Sequence, residues 1–128
     1  MSNFKRIFKN IDEVNEILPK VVRTMSRLRE QFTGARDQWQ QLLRHSGSNG
    51  GPPEGLDENS PYVVVDRAIR QIIEAGGLIR DVGKGVVEFP MIRDDRIVML
   101  SWRVSDGAVV RHWHEIYETH QDRKPIDF

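Results

Sequence analysis

The 128-residue chain balances 19 Lys and Arg against 19 Asp and Glu and has no Cys. Disulfides, thiolate nucleophiles and sulfur-ligated zinc are therefore excluded. Zero formal net charge offers no overall attraction to nucleic acid or an acidic membrane. With 38% hydrophobic and 30% charged residues, the composition is that of one folded domain spanning 1–128. There is no apolar run near the roughly 20 residues of a membrane span. The opening MSNFKRIFKN lacks the apolar core of a secretory signal, so a cytoplasmic location is expected. Residues 1 to 45 hold nine Lys or Arg against five Asp or Glu, a modest basic surplus read as solvated helix surface.

The pattern predicts a long helix over 10–45. Asn10 can cap it and Glu13, three residues on, completes a capping box. Its apolar stripe runs Ile11, Val14, Leu18, Val21, Met25, Leu28, Phe32, Ala35, Trp39 and Leu42. Those alternating steps of three and four are the period of a coiled-coil seam. Pro19 and Gly34 interrupt the stripe without shifting its register, so the segment is kept helical. Residues 46–59, SGSNGGPPEGLDEN, have no apolar period and read as a loop. A second helix over 60–76 should start on Ser60 as cap and Pro61, carry Tyr62, Val65, Ile69 and Ile72 inward, and stop at Gly76 and Gly77. The shorter helix cannot cover the longer seam, which leads to the expectation of a homodimer closed about a twofold axis, with a further protein partner open. The competing arrangement is a monomer whose own sheet covers the seam.

Residues 77–123 read as a β-meander with a C-terminal segment. Leu78 to Val82 supply an edge strand before a turn at Gly83–Gly85. Three strands then follow, around VVEFP, IVMLSWRV and VVRHWHEI, dense in the β-branched and aromatic residues that suit a pleated surface. The turn signals are Arg93 to Arg96 and Ser105-Asp106-Gly107, the latter a favoured hairpin dipeptide. Alternation puts Val98, Leu100, Trp102 and Val104 on one face, and Ile97, Met99, Ser101 and Arg103 on the other. His112 and His114 fall together, opposite Trp113 and Glu115. The expected fold is α+β: an antiparallel helical hairpin packed on an antiparallel meander of three to four strands.

A polar group of Arg103, Asp106, His114, Glu115 and Arg123 around Trp102 and Trp113 could hold a small anion or carboxylate, since guanidinium groups fork onto such oxygens. The same residues could equally be buried ion pairs and indoles sealing the sheet. His112 and His114 with Glu118 or His120 give an alternative nitrogen and oxygen ligand set for zinc. Ser101 has no glycine elbow, and GGLIRDVGKG lacks the spacing of a phosphate-binding loop. No catalytic residue and no cofactor is therefore assigned.

GVVEFP (Gly85–Pro90), LSWRV (Leu100–Val104), WHE (Trp113–Glu115), Arg123 and the opening EVNEILP (Glu13–Pro19) together resemble an uncharacterised bacterial family catalogued only as a domain of unknown function (DUF2203) and sometimes labelled division initiation protein. The resemblance spans most of the chain outside the middle loop. It implies a Cys where this chain has Ser101, a Gly-Glu pair near Ser105 and Asp106, and a Gly-rich approach to Arg123, where this chain has Thr119 to Asp122. Any role that needs the thiol is therefore ruled out here. The leading functional reading is a non-catalytic interaction module that self-associates through its long helix. The alternative is a small anionic-ligand binding protein or enzyme using Arg103, His114 and Arg123.

Overall fold

The computed structural model describes residues 4–34 and 60–128. Helix α1 spans Ile11–Gly34. Asn10 Oδ1 accepts the Glu13 N–H at 2.9 Å and Glu13 Oε1 accepts the Lys9 N–H at 2.7 Å, so the expected capping box forms with its return bond one residue earlier. Pro19 lies inside α1 on an exposed position and the helix runs through it. Helix α2 spans Pro61–Ala75, capped by Ser60 Oγ on the Val63 N–H and closed by Gly76 at φ 102°. Gly76 is required there twice over: φ is left-handed, and a Cβ would stand 2.9 Å from Phe8 Cζ.

The five strands β1 (Leu78–Asp81), β2 (Val86–Arg93), β3 (Arg96–Arg103), β4 (His112–Glu115) and β5 (Lys124–Pro125) form one antiparallel sheet in chain order. The sheet exceeds the expected strand count because β5 pairs through only His112–Pro125 and Trp113–Lys124. Two residues, one of them proline, carry no readable period. Phe8 adds a parallel bridge beside Met91, with Phe8 N–H on the Pro90 carbonyl at 2.8 Å. The β2–β3 hairpin closes through Asp94 and Asp95 at φ 52° and 61°, left-handed as its two-residue turn demands.

The Asp106-Gly107 signal does not make a tight hairpin. Val104–Asp106 is a 3-10 turn, and the chain loops through Val110 before β4 starts at His112. Asp106 Oδ2 takes the Arg103 N–H at 3.0 Å, Trp102 Nε1 donates to the Gly107 carbonyl at 2.7 Å, and Val110 N–H donates to Asn15 Oδ1 at 3.0 Å. Those partners hold the loop open and leave Val109 exposed.

The core lies between the helices and one sheet face. Val14, Leu18, Val21, Met25 and Leu28 of α1 are buried with Val65 and Ile72 of α2 and with Val87, Phe89, Val98, Leu100 and Trp102 of the sheet. The seam over residues 11–31 is thus covered inside one chain, because the sheet supplies the area α2 lacks. That removes, for the described residues, the free apolar edge on which the homodimer expectation rested. Ala35, Trp39, Leu42 and the loop 46–59 lie outside the described residues. Among the described residues, no helix is long and apolar enough to cross a membrane.

Candidate functional site

The sequence-predicted cluster separates into five places. Trp102 is fully buried in the core, its indole N–H satisfied by Gly107. Arg123, 14% exposed, forks onto Asp106, 8% exposed, at 2.6 and 3.3 Å. Burial opposes ionisation of Asp106, yet the Arg123 fork, the Arg103 N–H and nearby His112 outweigh it and hold the carboxyl below its ordinary value. Glu115 forks instead onto Arg96 at 3.0 and 2.8 Å. This bond lowers the Glu115 carboxyl and raises the Arg96 guanidinium. Trp113 packs edge-on against Phe128 at 5.6 Å, with Lys124 Nζ over its ring at 4.5 Å. Arg103 contributes its backbone N–H to Asp106, while its Nε is buried with no partner among the described residues.

His114 lies apart from all of these, on the sheet face away from the helices. Cross-strand pairs Glu88–Ser101, Met99–His114 and Ser101–His112 place these residues together on that outer face. Glu88, Ser101 and His114 are each buried to 2% exposure or less. His114 Nε2 meets Glu88 Oε2, and His114 Nδ1 lies 2.6 Å from the Glu115 carbonyl oxygen. A carbonyl can only accept, so Nδ1 carries a proton, and another proton must lie between Nε2 and the carboxylate. Arg80 Nε donates to the other Glu88 oxygen at 2.9 Å, so the carboxylate bridges the guanidinium and the imidazole.

A cleft of about 470 Å³ opens over this pair, within the range of small-molecule sites. Glu88, His114 and Met99 form its buried lining, and Phe4, Arg80 and Ile116 join them with the segment Glu118–Gln121. That segment stays in place because Glu118 Oε1 accepts the Glu115 N–H at 2.8 Å and Lys124 Nζ at 3.1 Å. The backbone bond, then the lysine, hold the Glu118 carboxyl below its ordinary value. Asp122 closes the next turn by accepting the Thr119 N–H at 3.1 Å. Among the described residues, other grooves lie along α1 and α2 at Lys20 and Asp66, and at Asn10 and Phe128. Neither reaches a buried ionisable pair.

Glu88 and Arg80 are the functional candidates that sequence reasoning missed. The available signal was a carboxylate in the middle of an otherwise apolar strand, Val86-Val87-Glu88-Phe89-Pro90. Such a charge needs a partner once both faces are covered. His112 stands 3.7 Å from Asp106 Oδ2, and both ring nitrogens of His114 are engaged. His112, His114 and Glu118 are therefore not gathered as ligands; among the described residues no three His, Asp or Glu could hold a metal ion. Ser101 Oγ, His112 Nδ1, Trp113 Nε1 and His120 Nδ1 are buried without hydrogen-bond partners among the described residues.

Two helices on one face of a sequentially ordered antiparallel sheet, with an ion-paired cleft on the other, define a two-layer α+β domain. The chain belongs to the family described as "Uncharacterized conserved protein (DUF2203)", whose model matches residues 6–126. No curated protein and no solved structure matches it.

Proposed function

We propose that the chain is a small-molecule binding domain whose site is the cleft on the sheet's outer face. The observation that supports this is the Arg80–Glu88–His114 row in the cleft lining, with Glu88 and His114 buried on the sheet face opposite the helices and Arg80 half exposed. Buried ion pairs are weak contributors to stability, and an apolar trio would serve a purely structural role at least as well. Both ring nitrogens of His114 are engaged, and the Thr119 hydroxyl in the lining donates to Asp122, so the reading is recognition without a covalent step. The Asp106–Arg123 fork serves as a clasp tying the C-terminal segment to the end of β3.

The test is a thermal-shift screen of chemically diverse small polar molecules against the chain and against Gln121→Trp. Gln121 is exposed at the cleft, so the indole would obstruct the opening without entering the core. Binders should stabilise the original chain and lose their effect on the variant. Binders that stabilise both equally would overturn the assignment.

A further inference from the structure

We propose that the cleft's ligand is an amphipathic monocarboxylate, its carboxylate on the outer edge of Arg80 and its apolar body against Phe4, Met99 and Ile116. This inference rests on the assignment of the cleft as the binding site. Arg80 uses Nε on Glu88, and among the described residues no partner is recorded for its two terminal nitrogens. Its side chain is 44% exposed while that of Glu88 is 2% exposed, so the guanidinium is anchored from behind and its remaining edge reaches solvent. A guanidinium fixed in this way presents parallel N–H groups at the spacing of a carboxylate, and little conformational freedom remains to be lost on binding. His120 also lines the cleft, its Nδ1 buried without a partner among the described residues.

Charge sets the valence. Arg80, Glu88 and Glu118 are the charged side chains of the lining, with His114 and His120 beside them; Glu88 is engaged by Arg80 and His114, and Glu118 by Lys124. A carboxylate can take both terminal N–H groups of the Arg80 edge, whereas a dianion such as phosphate would meet a larger repulsion from the same two carboxylates. The rest of the wall sets the body. Met99 is buried and Ile116 is 52% exposed, and with Phe4 they give one apolar side to a cleft otherwise polar.

Calorimetric titration of the whole chain with hexanoate, hexanol and inorganic phosphate tests this, with amide NMR locating any binding. Hexanoate should bind saturably at the cleft, and hexanol and phosphate at least roughly tenfold more weakly. Arg80→Gln should weaken hexanoate roughly tenfold or more. Because that variant also deprives Glu88 of a partner, Ile116→Glu provides a second arm: it adds a like charge at an exposed position and should weaken hexanoate with the melting temperature unchanged. Phosphate binding as tightly as hexanoate, or unchanged affinity in both variants, would overturn the inference. Hexanol and hexanoate binding the cleft equally would overturn the carboxylate and leave the cleft assignment standing. Failure of every probe to move cleft resonances would count against both.

Discussion

Replacing Glu88 by Met tests whether the buried pair behaves as the geometry requires. Methionine occupies a similar volume, so the change removes charge and hydrogen bonding with little cavity. The Arg80 contact is half in water and contributes a few tenths of a kcal/mol at most. The His114 contact is fully buried. A charge-assisted bond there contributes about 1.5–3 kcal/mol, and stranding the imidazole brings the expected loss to about 3 kcal/mol. For a domain of this size, that is a drop of roughly 10 °C in Tm. Urea unfolding followed by circular dichroism gives the free energy directly. The double replacement Glu88→Met with His114→Leu removes both partners together, so it should cost about 2 kcal/mol less than the sum of the single changes. A single-variant cost below about 1 kcal/mol, or additivity within about 0.5 kcal/mol, would refute the buried-pair reasoning.

Other consequences follow from the same structure. Arg123→Ala should destabilise by about 2–3 kcal/mol in urea unfolding, because Asp106 is left buried without its fork. The Asp106 carboxyl is held below its ordinary value, so its contribution is complete above the ordinary carboxylate range and is lost as pH falls through the lowered one. Asp106→Asn should accordingly flatten the acid limb of the stability profile relative to the parent chain. Ser101→Cys should stabilise by on the order of 1 kcal/mol, since a thiol tolerates an unpartnered buried position better than a hydroxyl. Asp95→Gly should gain on the order of 1 kcal/mol by relieving a left-handed residue that has no ion pair among the described residues.

The helices were legible because their signals are local and mutually consistent. The step-of-three-and-four stripe marked Val14 to Leu28, all buried, and Ser60, Pro61 and Gly76 marked both ends of α2. Strand alternation likewise placed Leu100 and Trp102 inward and grouped His112 with His114. What the sequence could not convey was register. Glu88 meets His114 only after β2, β3 and β4 are aligned, and Arg80 reaches it from a fourth strand. Sequence proximity instead grouped Arg103, Asp106, Glu115 and Arg123, whose carboxylates turn out to have separate guanidinium partners. Asp106-Gly107 misled for a related reason: the Trp102 indole and Asn15 amide oxygen that hold that loop come from elsewhere in the chain.

The chain holds four methionines, Met1, Met25, Met91 and Met99, and of these Met99 lines the cleft while Met25 sits in the core and Met91 borders a separate groove. Methyl-labelled methionine spectra recorded during a screen of small polar molecules therefore locate binding directly. Binders that shift the Met99 methyl saturably and leave Met25 and Met91 in place are the expected result; binders that move Met91 with Met99 unchanged, or a diverse set that never moves Met99, would contradict the assignment of the outer-face cleft as the site.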